Sequence, residues 1–507
     1  MTETTREEFA QQVRNARVVP VIRTLFADAL TPVGLYRSLA EGRTGTFLLE
    51  SAEQGGIWSR YSFVGVRSFG VLTERAGRAV WLGDSIDADR AFGGVMPETT
   101  LDALDALYAR WRSPENPEHP PLTGGLVGFI GWDAVRQVEY LPNAPATDFP
   151  CPELAMAFVS ELIVMDHRQG TVSLIASVLA DGAQDDETQW ADAQARLDAL
   201  EAALAAPAEP SIARIDLDTV PQPHHRSTPA EFLAAVERSK DFIRDGDVFQ
   251  VVIAQRFDHE LTASALDVYR VLRALNPSPY MYALALETAD GSPYAIVGSS
   301  PEALVKVTDG RVYTHPIAGS RPRGDTPERD GELADELLAD LKEQAEHLML
   351  VDLGRNDLSK VCRAGTVEVT EFMQVERFSH IMHLVSSVEG DMRADVTPID
   401  VFRATFPAGT LSGAPKPRAL QIIDELEPAR RGVYGGVVGY FAFSGDLDLA
   451  IAIRTAYLAD GVARVQAGAG LVADSVPQAE FQETLSKAAA PLRAVAIANA
   501  LHRGADS

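Results

Sequence analysis

Residues 465–484 read "VQAGAGLVADSVPQAEFQET", which predicts a short apolar strand, a turn of small residues and the start of a helix. Gly468, Ala469 and Gly470 have almost no side chain, so their backbone N–H groups can approach an anionic ligand closely. Glu480 and Glu483 are three residues apart, which places both carboxylates on one helix face. The stretch therefore offers groups for an anion and groups for a cation, although close strand packing and a solvated helix face also explain them.

A second acidic pair has the same spacing. Glu343 and Glu346 lie in "KEQAEHLML", within a segment, 328–354, that predicts one long helix. Two facing carboxylate pairs plus water could hold a hard, oxygen-preferring ion such as Mg²⁺ and leave coordination places for a substrate anion. A solvated helix face remains the alternative for this pair as well.

Two further segments contain candidate functional groups. "FPAGTLSGAPKPRAL" (406–420) combines small residues and prolines, and Lys416 and Arg418 lead into a helix. This pattern fits an anion site at a helix N-terminus or a rigid turn with solvated cations. "VERFSHIMHLVSSVEG" (375–390) places His380 and His383 three residues apart in an apolar stretch, which suits acid–base chemistry or hydrogen-bonded core histidines.

Composition excludes several classes of partner. The 507 residues include 72 acidic and 45 basic side chains, and the net charge of −27 disfavours binding to nucleic acid or to anionic lipid surfaces. Two cysteines are too few for a disulfide framework or a structural zinc site. The first ten residues are polar and acidic, and the sequence lacks an apolar run of 18 residues, so we expect a cytoplasmic protein that does not cross a membrane.

The order of predicted elements indicates an α+β fold. Strand-like segments arrive in hairpin-like runs separated by helices, which favours antiparallel sheets over a regular βαβ alternation. An Ala-rich helix followed by a proline-containing polar stretch separates an N-terminal part, 1–210, from a linker, 211–227. Thr228, Pro229 and Glu231 then form a helix-start signature that opens the C-terminal part, 228–500.

Four segments together resemble the ordered motifs of chorismate-utilising enzymes. They are "EHLMLVDLGRNDLSKVC", "FPAGTLSGAPKPRALQIIDELEP", "GVVGYFAFSGDLDLAIAIRT" and "AGAGLVADSVPQAEFQET", within a match that spans about 225 to 495. The resemblance implies that antiparallel sheets form a sandwich-like core surrounded by helices. It also implies that the substrate is chorismate, a small dianion, held with Mg²⁺ on one carboxylate.

The resemblance assigns roles to individual residues. It implies that Glu346 and Glu483 bind the metal, that Glu302 in "GSSPEAL" is the general acid toward the leaving 4-hydroxyl, and that His383 serves the elimination. The family more often has threonine where Ser320 stands, which keeps the hydroxyl. The implied substrate-binding residues are Gly319, Ser320, Tyr434, Arg454, Gly468, Ala469 and Gly470.

The N-terminal half indicates the branch of the family. "FLLES" (47–51) and "NPSPYMYAL" (276–284) resemble the tryptophan-binding elements of anthranilate synthase component I. This likeness implies feedback inhibition by tryptophan, bound by Ser51, Pro279, Tyr280 and Met281. The alternative is that the two segments are an ordinary strand end and a proline-fixed turn.

Two positions distinguish this chain from sibling enzymes. Isochorismate and salicylate synthases have a lysine that activates water where Gln250 stands, and aminodeoxychorismate synthases often have a lysine where Ala318 stands. Neither residue here can act as that base or nucleophile. The resemblance therefore implies that ammonia attacks chorismate to give 2-amino-2-deoxyisochorismate, which loses pyruvate to form anthranilate, the first committed step of tryptophan biosynthesis.

The source of ammonia lies outside this sequence. Cys151 and Cys362 are in contexts unlike that of a glutaminase nucleophile, so we expect a separate glutamine amidotransferase subunit as partner. Aminodeoxychorismate synthase component I and a non-catalytic relative that binds tryptophan or chorismate are the alternatives.

Overall fold

The computed structural model describes residues 3–52, 60–206, 212–377 and 381–503. It confirms the predicted α+β class, because its strands form an extensive antiparallel network and helices pack against that network. The twelve α-helices in the described ranges are α1 (Arg6–Gln12), α2 (Pro32–Leu39), α3 (Ala88–Phe92), α4 (Thr100–Trp111), α5 (Asp186–Ala205), α6 (Pro229–Arg244), α7 (Ala265–Leu275), α8 (Pro327–Ala339), α9 (Leu341–Ser359), α10 (Pro398–Thr405), α11 (Lys416–Leu426) and α12 (Pro477–Asn499).

The strands in the N-terminal part are β1 (Val18–Phe26), β2 (Thr46–Glu50), β3 (Tyr61–Arg75), β4 (Arg78–Gly83), β5 (Gly125–Ile130), β6 (Leu154–Asp166) and β7 (Thr171–Leu179). Those that follow are β8 (Ala213–Arg214), β9 (His224–His225), β10 (Gln250–Glu260), β11 (Tyr280–Glu287), β12 (Pro293–Ser300), β13 (Ala303–Thr308), β14 (Arg311–Thr314), β15 (Ile317–Pro322), β16 (Glu368–Arg377), β17 (Ile381–Asp391), β18 (Gly413–Ala414), β19 (Val437–Ala442), β20 (Leu447–Ile451), β21 (Thr455–Ala459), β22 (Val462–Leu471) and β23 (His502–Arg503). Short 3₁₀ helices span Trp132–Gln137 and Gly409–Leu411.

Strands from the two halves of the chain pair with each other. Strand β2 pairs with both β3 and β11, and β5 pairs with both β6 and β19, all antiparallel. Twenty-one of the described strands thereby join one hydrogen-bonded network, whereas β8 and β23 form a separate two-stranded sheet. The N-terminal and C-terminal halves therefore share backbone hydrogen bonds as well as side-chain contacts.

Buried apolar side chains form three large clusters. One cluster consists almost entirely of strand residues, including Phe129 and Tyr440, and lies between the faces of the folded sheet. The other two also contain the apolar faces of helices, such as Trp111 of α4 and Leu492 of α12. This arrangement is a sheet sandwich with helices outside it, because each helix buries one apolar face against the sheet.

Local capping explains two helix starts, one predicted and one not. Thr228 and Glu231 form the predicted capping box at the start of α6. The single helix predicted over 328–354 is wrong, since the segment forms α8 and α9 with a break at Asp340. The Asp340 carboxylate accepts hydrogen bonds from the backbone N–H groups of Lys342 and Glu343, and this cap favours a new helix start over continuation.

Strand register sets the cross-strand neighbours of several candidate site residues. In the β10–β22 pair, Gly468 lies opposite Ala254, and Gly470 lies opposite Val252. In the β15–β17 pair, Ser320 lies opposite His383. Within the described ranges, every helix is too short or too polar to span a membrane.

Candidate active site

The small residues of β22 allow two polar side chains to pack against that strand. A Cβ atom at Gly468 would lie 2.7 Å from the Tyr434 hydroxyl, and one at Gly470 would lie 2.7 Å from Nε2 of Gln250. Both distances are below van der Waals contact, so larger residues would displace these side chains. Close packing thus explains the glycines directly, and it fixes Tyr434 and Gln250 beside the backbone of β22.

A cationic group lies where β22 meets α12. Arg454, whose backbone has a left-handed φ of 52°, donates from Nη1 to the carbonyl of Lys487 over 3.0 Å. Lys487 in turn donates from Nζ to the Gly468 carbonyl over 3.1 Å and forms an ion pair of 2.6 Å with Oε1 of Glu483. Burial lowers the pKa of Arg454, while Tyr434 and Glu483 act in the opposite direction. Two cations therefore lie close to the predicted substrate strand.

The imidazole of His383 has a defined tautomer. Its Nδ1 lies 2.8 Å from the carbonyl oxygen of Gly319, and a carbonyl can only accept, so Nδ1 holds the proton. Burial lowers the pKa of His383, the Gly319 carbonyl opposes that shift, and the nearby Arg454 charge reinforces it. A neutral imidazole with its proton on Nδ1 has a basic lone pair on Nε2, which is the state that proton abstraction requires.

Glu302 follows β12 and precedes β13, and its carboxylate lies against the Gly409–Leu411 turn. Its Oε1 accepts a hydrogen bond of 3.0 Å from the Thr410 hydroxyl. Burial raises the pKa of Glu302 to about 7, although the Thr410 bond and the charge of Lys487 both oppose the increase. A carboxyl group with such a pKa is partly protonated at neutral pH and can therefore act as a general acid.

The two acidic pairs lie on neighbouring helices. Glu346 accepts a hydrogen bond of 3.0 Å from Nε2 of Gln250. Burial raises the pKa of Glu343, and the negative charge of Glu346 adds to the increase. Burial also raises the pKa of Glu480, and a hydrogen bond with Ser475 opposes the increase.

The donor chemistry of these pairs suits magnesium, because carboxylate oxygens are its preferred ligands and a cation would relieve the repulsion that Glu346 exerts on Glu343. In the described part of the chain, however, His, Cys, Asp and Glu side chains form no group of three or more that could hold a metal ion. Glu346 and Glu483 are instead bonded to Gln250 and Lys487. The metal assignment therefore stays a prediction that the donor types support.

The structure brings most predicted site residues into one connected region. Hydrogen bonds and close contacts link Gly319 to His383, Tyr434 to Gly468, Gln250 to Gly470 and Glu346, and Arg454 to Lys487. Ala469 is buried in β22 between the two glycines, and Ser320 lies beside His383 across the β15–β17 pair. Lys487 and Thr410 are contacts that sequence reasoning missed. Lys487 could have been found from its position one helical turn after Glu483.

The predicted anion site at Lys416 and Arg418 is not formed by these side chains. Lys416 is partly buried and donates to Oδ2 of Asp357 over 2.7 Å and to the Thr405 carbonyl over 3.0 Å. Arg418 pairs with Asp247 over 3.1 Å. Both cations hold the loop internally, so the rigid-turn alternative fits them better. The other histidine of the predicted pair, His380, lies outside the described residues.

The four predicted regulatory residues line one cavity. Ser51, Pro279, Tyr280 and Met281 surround it, and it is completed by side chains that include Lys306, Tyr440 and Asp448. Strand pairing brings residues 279–281 close to Ser51, because Met281 of β11 lies opposite Glu50 of β2. The Ser51 hydroxyl is buried without a hydrogen-bond partner among the described residues. A buried polar atom of this kind calls for a partner such as a bound ligand or water.

Comparisons with known proteins show the family of this chain. The family model for chorismate binding enzyme matches residues 78–493. Anthranilate synthase component 1 of Arthrobacter globiformis is 55% identical over 501 residues, covering 98% of this chain and 93% of that protein. The Mycobacterium tuberculosis protein of the same name is 49% identical over 503 residues, covering 98% and 96%.

Two solved structures have the same fold as this chain. Anthranilate synthase component I of Streptococcus pneumoniae superposes with a TM-score of 0.73 and 36% identity, covering 93% of this chain and 99% of that one. The menaquinone-specific isochorismate synthase of Escherichia coli gives a TM-score of 0.69 at 19% identity, covering 97% and 98%, and shares the fold.

This chain belongs to the family of chorismate-binding enzymes. Its near-full-length similarity places it with the anthranilate synthase component 1 proteins of that family, and it is an enzyme of the lyase class.

Proposed function

We propose that this chain converts chorismate and ammonia to anthranilate and pyruvate, and that tryptophan inhibits it. The observation that supports this most directly is that the predicted acid and the predicted base both have shifted pKa values. Glu302 has a pKa raised to about 7 by burial, whereas burial lowers the pKa of His383. Two titratable groups whose pKa values are shifted in opposite directions by their environments suit the acid and base steps of one reaction.

The first stage joins ammonia to ring carbon 2. As the C–N bond forms at carbon 2, the two ring double bonds shift, and the bond from carbon 4 to its hydroxyl breaks with its electron pair on oxygen. The new ammonium group then loses a proton. Hydroxide is a poor leaving group, so Glu302 donates a proton and the group departs as water. Arg454, which donates to the Lys487 carbonyl, and Lys487, which donates to the Gly468 carbonyl, are the cations proposed to hold the anionic substrate.

The second stage forms the aromatic ring. His383 takes the proton from ring carbon 2 at Nε2, because its Nδ1 is committed to the Gly319 carbonyl. The C–H electron pair becomes part of the ring as the C–O bond to the enolpyruvyl group breaks. The released enolate takes up one proton to become pyruvate. The hydrogen bond to Gly319 orients the imidazole and disperses the positive charge that it acquires.

Magnesium would be held by Glu346 and Glu483, on α9 and α12. When bound, it supplies Lewis acidity and a template for one substrate carboxylate. Gln250 orients Glu346 through its 3.0 Å hydrogen bond, and Lys487 orients Glu483.

The hydrogen bond between Gln250 and Glu346 supports ammonia, rather than water, as the nucleophile. Gln250 stands where the water-activating lysine of isochorismate-forming relatives is expected, and its amide is used as a donor to Glu346. A neutral amide cannot act as a base toward water. We therefore infer that the free chain uses ammonia and that a separate glutaminase subunit provides it from glutamine.

Tryptophan is proposed to bind the cavity lined by Ser51 and Met281. Two strands lead from that cavity toward Glu302. Tyr280 pairs with Ser300 at the end of β12, and Ile451 of β20 donates its backbone N–H to the Glu302 carbonyl over 2.9 Å. A ligand that favours one arrangement of these strands would change the position of the acid, which is how binding at one site alters activity at another.

One assay tests the proposal. The purified chain is incubated with chorismate, ammonium and Mg²⁺, and the products are followed by anthranilate fluorescence and by mass. We expect anthranilate and pyruvate in equal amounts, with formation suppressed by tryptophan. Isochorismate or 4-amino-4-deoxychorismate as the main product would instead place the chain with one of its sibling activities, and chorismate binding without turnover would make it a non-catalytic relative.

A further inference from the structure

A second cavity lies behind Glu302, bounded by α9, the end of α10 and the Gly409–Leu411 turn. It has a volume of about 60 Å³, and Glu302, Thr410, Thr314 and His315 contribute to its lining. Its lining combines these polar side chains with leucine and isoleucine side chains, and a cavity of this size with several polar groups can hold about two water molecules. Glu302 and His315 therefore both line this cavity.

His315 is connected to the protein surface by hydrogen bonds. Its Nδ1 lies 3.1 Å from the buried Ser387 hydroxyl, and that hydroxyl donates to Oε2 of Glu371 over 3.2 Å. Glu371 is exposed on β16. Its register with Ser387 is interrupted on both sides by bulges, which are features that redirect side chains. The chain of contacts runs from solvent to the cavity.

We propose that Glu371, Ser387 and His315 form a proton relay that reprotonates Glu302 from solvent after each turnover. The proposal rests on the proposed function, in which Glu302 donates a proton to the departing hydroxyl. With substrate and products covering the reaction side of the carboxylate, the cavity gives the acid a separate contact with water. His315 is a positioning residue in this scheme, since it acts through Glu302.

The proton balance is simple. The amination stage leaves Glu302 as a carboxylate and releases water. A cavity water then protonates Glu302 and is reprotonated from Nε2 of His315. Before this step Glu371 takes a proton from solvent and donates it toward Ser387, so that the Ser387 hydroxyl turns to donate to Nδ1 and the neutral imidazole has its proton on Nε2. Nδ1 then takes the hydroxyl proton as Nε2 gives up its own, and Ser387 takes the proton from Glu371. The transfer ends with the Ser387 hydroxyl donating to Glu371, as in the structure, and the imidazole proton returns to Nε2 when solvent protonates Glu371 again. The relay delivers one proton in each turnover, and this proton is balanced by the one that the added ammonium group releases.

The surroundings of His315 favour a neutral imidazole that can accept and release protons in turn. Burial is the largest influence and lowers the pKa of His315, which the carboxylates around it only partly offset. A permanent imidazolium could not accept a proton from Ser387. The charged groups that face the imidazole or share the cavity are Glu302, Lys306, Asp357, Glu371, Glu389 and Asp448.

The test compares His315→Gln, which keeps hydrogen-bonding groups but cannot relay a proton, with Ser387→Ala and the parent. In the ammonia-dependent assay we expect kcat to fall at least about tenfold in both variants, with KM for chorismate within about twofold, as befits loss of proton transfer. The solvent deuterium isotope effect on kcat should increase. Glu368→Gln, which removes another exposed carboxylate from β16, should leave both values unchanged.

Two further measurements separate a relay from a structural role. Imidazole should restore activity to His315→Ala and have no effect on the parent. Supplied 2-amino-2-deoxyisochorismate should be converted to anthranilate at the parental rate by every relay variant, because that stage does not use Glu302.

Unchanged kcat and isotope effect in His315→Gln, or equal loss of both stages without rescue by imidazole, would overturn the relay while parental anthranilate synthesis stands. A parent that forms no anthranilate from chorismate and ammonia would refute the proposed function and the relay together.

Discussion

The hydroxyl of Thr410 donates to Oε1 of Glu302 across 3.0 Å, joining residues that are 108 positions apart in the chain. Burial favours the neutral carboxyl group, whereas this hydrogen bond favours the carboxylate. The balance leaves the pKa of Glu302 at about 7, within the range in which the enzyme is expected to work.

The rate should depend on pH through this group. A general acid must be protonated, so kcat at a constant concentration of free ammonia should be level below pH 7 and fall about tenfold for each pH unit above it. The pH profile of Glu302→Gln should lack this limb and show little activity. A parental rate that rises through pH 7 under the same conditions would contradict the acid assignment.

Thr410→Val should shift the alkaline limb of the pH profile to higher pH. Removing a hydrogen bond worth about 0.5–1.5 kcal/mol from the carboxylate form raises the pKa by about 0.4–1.1 units. Thr410→Ser keeps the hydroxyl and should keep the parental profile. A downward shift in Thr410→Val would mean that the hydroxyl favours the protonated acid.

The metal assignment predicts a changed magnesium requirement. Glu346→Gln and Glu483→Gln each remove one negative charge with little change of shape, so the Mg²⁺ concentration for half-maximal activity should increase at least about tenfold. Glu480→Gln is the matched comparison, because it alters the other carboxylate on the same face of α12. If only Glu480→Gln raises the requirement, the ligand on α12 is Glu480.

His383→Ala should slow the second stage of the reaction and leave the first stage active. Amination does not need this base in the proposed scheme, so 2-amino-2-deoxyisochorismate should accumulate while anthranilate formation falls about 10²- to 10⁴-fold. Mass analysis of quenched reactions measures both products. Equal loss of the two would instead identify His383 as a binding residue.

Ser51 offers a test of tryptophan control. Ser51→Phe should fill the cavity and abolish inhibition, while activity without tryptophan stays within about twofold of the parent. Ser51→Ala, which removes only the hydroxyl, should weaken inhibition about tenfold or less, the usual effect of losing one hydrogen bond. Tryptophan should raise the melting temperature of the parent and leave that of Ser51→Phe unchanged. Full inhibition of Ser51→Phe would exclude this cavity as the site.

A buried ion pair should matter for stability. Arg431 donates twice to Glu427, at 2.9 and 2.6 Å, and also to the Leu411 carbonyl over 2.7 Å. Arg431→Met would leave the buried Glu427 carboxylate without its cation, at a cost of about 3–5 kcal/mol. Urea unfolding measures this loss. The double variant Arg431→Met/Glu427→Met should recover much of it, and failure to recover would assign the loss to the backbone contacts of Arg431.

Much of the fold follows from short-range pattern. The hydroxyl cap and proline of Thr228 and Pro229 start α6 as predicted, and the spacing of Glu480 and Glu483 places both on α12. These features depend on neighbours within one helical turn, so the sequence shows them directly. The single helix predicted over 328–354 failed because helical propensity is similar on both sides of Asp340, and only the observed cap reveals the break.

The sequence by itself determined the α+β class, the family motifs and the candidate groups. The tertiary structure decided which of these groups meet. Antiparallel register, fixed by burial across the whole sheet, brings Met281 beside Glu50 and Ser320 beside His383. Packing also commits Lys416 to Asp357 and brings Thr410 to Glu302. Such contacts join residues far apart in the chain, and local periodicity contains no information about them, because they arise only when distant elements share one core.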